Sequence, residues 1–172
     1  MKHIPMSILK LFRRNPDKEF ERLLEKVNEN KDSPEIMIKY LKKAKKYDTK
    51  NLLPLFVEAW DKYSEDEFEE SIKTYDQILK IDPKNTRALI HKGISLENVK
   101  KLEQAIDCYD QVLKIDSSND SALNNKGIAL FSIKKYKQSL ECFDKLLELK
   151  PADEIALKNR EKVVYNMTYG NK

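Results

Sequence analysis

The sequence of 172 residues contains little glycine, proline, cysteine or histidine. It has three glycines, six prolines, two cysteines and two histidines. An all-β protein needs many turn residues, so the shortage of glycine and proline favours helices. Neither His3 nor His91 has a cysteine or carboxylate at a spacing typical of metal ligands. We therefore expect no metal and no other cofactor.

Long apolar runs are also missing. No run approaches the ~18 residues that a membrane-spanning helix requires. The N-terminal segment MKHIPMSILKLFRR contains a short apolar stretch, but Lys10 interrupts it and no small-residue cleavage site follows. A secretory signal is therefore not expected. We expect the protein to be cytoplasmic.

Positive charge is in excess only in the first third of the chain. Residues 1–51 carry fourteen Lys/Arg against eight Asp/Glu, whereas residues 52–172 carry nineteen against twenty-one. The lysine run KYLKKAKKY places Lys39, Lys42, Lys43 and Lys46 on one face of a helix. A solvated outer face explains this run. The alternative is an electrostatic patch for nucleic acid or an anionic membrane.

A repeated segment dominates the rest of the sequence. YDQILKIDPKN at 75–85 recurs as YDQVLKIDSSN at 109–119 and, more loosely, as FDKLLELKPAD at 143–153, with an offset of 34 residues each time. A fixed period of this length is typical of solenoids and other repeat architectures. The period predicts three repeats, at 52–85, 86–119 and 120–153.

Each repeat is predicted to contain two helices. In the second repeat, apolar residues recur at three- and four-residue steps in LEQAIDCYDQVLKI, which indicates an amphipathic helix. Asp-Pro-Lys-Asn at 82–85 ends one helix and begins the next, because proline cannot continue a helix. The predicted helices lie near 18–30, 34–47, 53–64, 67–81, 86–98, 102–115, 120–132, 136–149 and 154–166.

Small residues recur where the two helices of a repeat should meet. Gly93 and Gly127 occupy the same position in their repeats, with Ala59 in the first, and the second helices carry Ser71, Ala105 and Ser139 opposite them. This predicts a close approach of the helices. Cys108 and Cys142 are also 34 residues apart. Equivalent positions of stacked helices lie roughly 10 Å apart, too far for a disulfide, so we expect free thiols.

These residues resemble the tetratricopeptide repeat family, whose 34-residue unit carries the pattern W-x2-L-G-x2-Y…A-x3-F…P. The second repeat has Leu89, Lys92, Gly93, Leu96, Ala105 and Tyr109 at these positions, and Ser117 replaces the proline. The resemblance implies an all-α fold, a right-handed superhelical α-solenoid of helix-turn-helix repeats. An apolar and basic tail (1–17) and a degenerate helical pair (18–51) would precede the repeats, and a capping helix and tail (154–172) would follow them.

The resemblance also implies a function in protein binding. Nothing in the sequence resembles a phosphate-binding glycine loop or a nucleophile elbow, so we expect a scaffold or adaptor and not an enzyme. In the family, the first helices of successive repeats line a concave groove that holds a peptide or a helix. The groove candidates carried over to this chain are Phe56, Trp60, Tyr63, Arg87, Ile90, His91, Ile94, Asn124, Asn125, Ile128 and Phe131, with Lys158 and Lys162 from the cap.

Some family members hold a C-terminal carboxylate with two lysines, two asparagines and one arginine. From the first full repeat onward, those positions hold Phe56, Trp60, His91, Ser121 and Asn125, which do not form such a clamp. A looser anion site at Arg22, Lys26 and Arg87 is an alternative. The expected partner is a protein or peptide segment, and the other interpretations are a nucleic acid or anionic membrane, or self-association through the solenoid ends.

Overall fold

The computed structural model describes residues 52–170 together with Arg22 and Lys26. Within residues 52–170 the chain forms seven α-helices and no strand. They are α1 (Leu53–Ser64), α2 (Phe68–Ile81), α3 (Thr86–Asn98), α4 (Leu102–Ile115), α5 (Asp120–Ser132), α6 (Tyr136–Leu149) and α7 (Glu154–Tyr169). The prediction of an all-α solenoid is confirmed. None of the described helices is both long and apolar enough to cross a membrane.

The observed helix bounds agree closely with those predicted from the sequence. The largest difference is at the end of α7, which continues to Tyr169 instead of stopping at residue 166. The predicted helices near 18–30 and 34–47, the N-terminal tail and the lysine run lie outside the described residues. The division of the chain into tail, degenerate pair and repeats stays a prediction.

The first helices of the second and third repeats begin at a polar cap that follows the same period. The side chain of Asn85 accepts a hydrogen bond from the backbone N–H of Ala88 at 2.9 Å, and Asn119 accepts one from Ala122 at 3.0 Å. Such a cap satisfies a backbone donor that has no partner inside the helix, and it typically contributes about 1 kcal/mol. These caps fix where α3 and α5 start.

The turn inside each repeat depends on a residue in the left-handed conformation. Asp66, Lys100 and Lys134 have φ of 60°, 62° and 61°. This conformation lets the next backbone N–H reach back across the helix end, as from Lys101 to the carbonyl of Leu96 at 2.9 Å. Glycine usually occupies such a position, so an aspartate or lysine there does not indicate this turn.

The core lies between the two helices of each repeat and between successive repeats. The recurring aromatic residue of the second helix, Tyr75, Tyr109 or Phe143, is at most 2% exposed. Leucines of the first helices pack against the rings, as Leu89 and Leu96 do around Tyr109. Cys108 and Cys142 are buried and free, as expected, and burial raises the pKa of both thiols.

The reason for the two glycines differs from the one expected. The small residues do meet, since Ser139 Oγ donates a hydrogen bond of 2.7 Å to the carbonyl of Gly127. However, the space beside each glycine is filled by an aromatic ring and not by a small residue. A Cβ atom on Gly127 would lie 2.7 Å from Phe143 Cζ, and one on Gly93 would lie 2.5 Å from Tyr109 Cε1. The rings therefore exclude a side chain at these positions.

Candidate peptide-binding face

The first helices of successive repeats lie side by side and are joined by polar contacts. Asn98 Nδ2 on α3 donates to Tyr63 Oη on α1 at 3.4 Å, and Asn159 Nδ2 on α7 donates to Asn124 Oδ1 on α5 at 3.4 Å. These helices present a set of partly or fully exposed side chains, which we call the first-helix face. Its members are Trp60, Tyr63, Ile90, His91, Ile94, Asn124, Asn125, Ile128, Phe131 and Lys162.

The N-terminal half of this face is an aromatic cluster. The ring of Trp60 stacks on Tyr63 at 6.0 Å and meets the edge of His91 at 6.3 Å. His91 in turn stacks on the buried Tyr75, with ring centroids 5.9 Å apart and planes inclined by 15°. Trp60, Tyr63 and His91 are partly buried. They form an aromatic surface that is partly accessible to solvent.

Phe56 was predicted to lie in the groove, and this is corrected. It is 6% exposed, its ring stands edge-on to Tyr75 at 6.4 Å, and Arg87 Cζ lies 5.7 Å from the ring centroid. Arg87 itself is partly buried. Phe56 therefore packs in the interior and is not accessible to a ligand.

The C-terminal half of the face combines apolar, amide and cationic groups. Phe131 packs against Tyr136 with ring centroids 5.5 Å apart, and Lys162 Nζ lies 5.0 Å from the centre of the Phe131 ring. Ile128 is 37% exposed. Asn124 Nδ2 donates to Asn125 Oδ1 at 3.2 Å. This half offers an apolar contact beside hydrogen-bonding amides.

Other candidates from the sequence are placed as follows. Ile90 and Ile94 are partly buried, and Ile90 also packs against the core. Arg22 is exposed and Lys26 is partly exposed. Both belong to the unit Met1–Pro54 and Arg87 belongs to the unit Leu55–Lys172, so an anion site formed by the three stays a prediction. Within the described residues no group of His, Cys, Asp and Glu could hold a metal ion.

Sequence reasoning missed Tyr165 of α7. This residue is 64% exposed and packs on Tyr169 with ring centroids 5.2 Å apart. The period could have identified it, because Tyr165 follows Phe131 by 34 residues. Glu97 of α3 is partly buried. Its carboxylate accepts a 2.5 Å hydrogen bond from the hydroxyl of Tyr109, and burial raises its pKa.

His91 is the one histidine that the structure describes, and its environment strongly lowers its pKa. Burial in the aromatic cluster, and to a lesser degree the charge of Arg87, lowers its pKa to about 3. A histidine in an unfolded chain titrates near pH 6.5. In the folded chain His91 is therefore neutral throughout the physiological range and acts as an apolar ring with polar edges.

This shift predicts a specific acid sensitivity. Between about pH 6.5 and about pH 3 the unfolded state binds a proton at His91 that the folded state does not. The contribution of neutral His91 to the free energy of unfolding is therefore complete above about pH 6.5 and is lost as the pH falls towards about 3. We expect the free energy of unfolding, measured with urea at about pH 7.5 and at about pH 5, to fall less on acidification in His91→Gln than in the wild type. His3→Gln is the control and should keep the wild-type loss. An equal loss in His91→Gln and in the wild type would contradict the prediction.

Comparison with known proteins identifies the repeat. The family described as "Tetratricopeptide repeat" matches residues 121–153, and the one described as "TPR repeat" matches residues 100–134. No curated protein sequence matches the chain.

Several solved structures have a similar fold. The first TPR domain of Spaghetti (RPAP3), solved with an HSP90 peptide, is 20% identical, with a TM-score of 0.66 over 70% of this chain and 96% of its own. The Sgt2 TPR domain from Aspergillus fumigatus is 21% identical, with a TM-score of 0.64 over 69% and 80% of the two chains. A tetratricopeptide repeat protein from Parabacteroides merdae is 21% identical, with a TM-score of 0.66 over 90% and 61%.

The helical pairs, the recurring glycines and rings, and these matches lead to one conclusion. Residues 100–153 match the models of the tetratricopeptide repeat family, and the described helices have the fold of a tetratricopeptide repeat domain.

Proposed function

We propose that this protein is a non-enzymatic scaffold or adaptor that binds a segment of another protein on the first-helix face. The observation that carries the proposal is the line of partly exposed aromatic and aliphatic side chains across successive first helices, from Trp60 and Tyr63 through Ile94 to Ile128 and Phe131. Aromatic and aliphatic side chains grouped on one partly exposed face commonly mark an interaction site. Aromatic anchors commonly dominate the binding energy of such sites.

Two solved neighbours support a peptide-binding role. The first TPR domain of Spaghetti was solved with the HSP90 peptide SRMEEVD, and the second TPR domain of human RPAP3 with the HSP70 peptide SGPTIEEVD. The carboxylate-clamp positions from the first full repeat onward hold no lysine and no arginine in this chain. We therefore propose a partner held by its apolar side chains and not by a terminal carboxylate.

The proposal predicts that a charge on the first-helix face abolishes capture of the partner. Ile128→Glu places a carboxylate in the apolar line, where a bound apolar side chain would desolvate it at a large cost. The matched control is Ile115→Glu at the end of α4, because Ile115 is 45% exposed and Ile128 is 37% exposed. We expect a protein captured from the native source by the wild type and by Ile115→Glu to be lost with Ile128→Glu, as measured by quantitative mass spectrometry.

Trp60 provides a second readout. It is the sole tryptophan of the chain and lies on the proposed binding face. Synthetic segments of the captured protein should shift its fluorescence emission in the wild type and in Ile115→Glu. Equal capture by all three proteins, or an emission that no captured segment changes, would reject the proposal.

A further inference from the structure

The short turns between the two helices of a repeat change their charge along the chain. The turn of the first repeat reads EDE at 65–67, that of the second reads KK at 100–101, and that of the third begins KKYK at 134–137. The last two turns carry five exposed lysines, which we call the basic turns: Lys100, Lys101, Lys134, Lys135 and Lys137. Within residues 52–170 no carboxylate forms an ion pair with any of them. These charges can therefore contact an anionic partner.

Two of these lysines stand at positions where the backbone disfavours them. Lys100 and Lys134 have φ of 62° and 61°, in the left-handed region. In this region the Cβ atom crowds the following carbonyl oxygen, and only glycine and, less often, asparagine or aspartate adopt it routinely. Asp66 holds the equivalent place in the first repeat. The second and third repeats thus keep a lysine where glycine would be the more stable residue.

The helix ends beside these turns are also unfavourable for a lysine. Lys101 and Lys135 are the N-cap residues of α4 and α6, and a lysine side chain has no acceptor for the N–H groups of the first turn. The N-terminus of a helix carries a partial positive charge that favours acidic residues. α2 has Glu69 and Glu70 in its first turn, whereas α4 has only Glu103 and α6 has no acidic residue there. Such departures from local rules are expected at functional sites.

The lysines of the two turns act together. α4 and α6 both pack against α5, so the turns belong to neighbouring repeats, in which equivalent positions lie roughly 10 Å apart. This distance is close to the Debye length of about 8 Å at physiological ionic strength, so the fields of the two turns overlap. The positive ends of α4 and α6 add to this field. The surface therefore favours a ligand with several regularly spaced anionic groups.

Tyr136 indicates which polyanion fits. It stands between Lys135 and Lys137, is partly exposed, and packs on Phe131 with ring centroids 5.5 Å apart and planes inclined by 51°. An aromatic ring among lysines offers a stacking surface for a nucleobase. The carboxylates of an acidic peptide and the headgroups of a lipid gain nothing from such a ring. A nucleic acid with unpaired bases uses both the charge and the ring.

We propose that the basic turns bind a single-stranded nucleic acid, with phosphates on the lysines of both repeats and a base on Tyr136. The bases of a duplex are stacked on each other, so a duplex can form only the phosphate contacts. None of these residues belongs to the first-helix face, so this proposal does not rest on the proposed function.

The probes are fluorescein-labelled oligouridylate and oligothymidylate of about twelve nucleotides, a usual length for a single-strand site, and a DNA duplex of the same length. Their binding to the full chain is measured by fluorescence anisotropy at about 50 mM and about 200 mM salt. The test variant combines Lys100→Gly, Lys134→Gly and Lys137→Gln. Its two glycines relieve the left-handed backbone. Urea unfolding should therefore show a stability no lower than that of the wild type.

The matched control combines Lys80→Gln, Lys114→Gln and Lys145→Gln. It removes the same charge from exposed lysines in the second halves of α2, α4 and α6. The basic residues 1–51 are identical in all the proteins compared. A difference between the two variants therefore reports on the basic turns alone.

We expect the test variant to bind the oligonucleotides at least about tenfold more weakly at the lower salt concentration, and the control to stay within about twofold of the wild type. The plot of log K against log salt should become less steep by about 2, because each single-strand phosphate contact contributes about 0.7. Tyr136→Leu, which copies Leu102 of the second repeat, should weaken oligonucleotide binding about fivefold and leave duplex binding unchanged. The tighter of the two strands identifies RNA or DNA as the ligand.

The proposal is overturned if the wild type binds neither oligonucleotide, or if the test variant and the control lose affinity equally. An unchanged oligonucleotide affinity in Tyr136→Leu would also overturn it. A polyglutamate peptide and vesicles containing phosphatidylserine test the other polyanions. If the wild type binds either of them more tightly than the oligonucleotides, and the test variant loses that binding, the basic turns belong to an acidic protein or a membrane and the proposal is wrong.

Discussion

Replacing Gly93 by alanine should lower the free energy of unfolding by about 1–3 kcal/mol, the usual cost of adding volume to a packed core. The sign of this change is informative. In an exposed helix the same replacement would raise the stability, because alanine is a better helix former than glycine by about 1 kcal/mol. Here the added Cβ meets Tyr109 Cε1 at 2.5 Å. The ring is buried, and its hydroxyl donates a hydrogen bond of 2.5 Å to Glu97. The tyrosine therefore has little freedom to move away.

Urea unfolding at pH 7 measures the change, and a double-mutant cycle identifies its cause. Tyr109→Leu shortens the side chain that the new methyl group meets, so alanine at residue 93 should cost much less in that background. Leucine at Gly127, where the Cβ would meet Phe143 Cζ at 2.7 Å, should destabilise the protein at least as much as alanine at residue 93. A stability gain in Gly93→Ala would show that the ring yields easily and that the glycine has another role.

Truncating Phe143 to alanine should cost about 3–5 kcal/mol, the typical loss for a buried aromatic residue. The ring is 1% exposed and lies in the space between Gly127 and α6. The surrounding helices are tied by the hydrogen bond of Ser139 to the carbonyl of Gly127. They can therefore close the cavity only in part. A loss of this size is a large fraction of the stability of an ordinary domain.

Phe131→Ala provides the matched control for this prediction. Phe131 is also a phenylalanine on a helix of the third repeat, but it is partly exposed and contacts Tyr136 and Lys162 at the surface. We expect its truncation to cost less than half as much in urea unfolding. It should instead weaken binding of the partner on the first-helix face. Equal losses of stability at the two positions would contradict the assignment of one to the core and the other to the binding face.

The sequence by itself determined the period, the helices and their order. The 34-residue repeat of YDQILKIDPKN, the apolar residues at three- and four-residue steps, and the asparagines before α3 and α5 are local signals. Local signals suffice for helices, because both the hydrogen bonds and the caps of a helix involve residues close in sequence. The same period indicated which residues of successive repeats are equivalent, and so it located most of the first-helix face.

Only the tertiary structure decided which of the equivalent residues are accessible. Phe56 and Trp60 both belong to α1 and are four residues apart, yet one is buried and the other partly open. Leu123 and Leu157 are equivalent in the period, yet only the second is exposed. The exposure of a side chain depends on helices that are distant in sequence, and the period does not state whether a covering helix is present. For that reason the exposure of Leu157, and the rings that require the two glycines, became visible only in the packed structure.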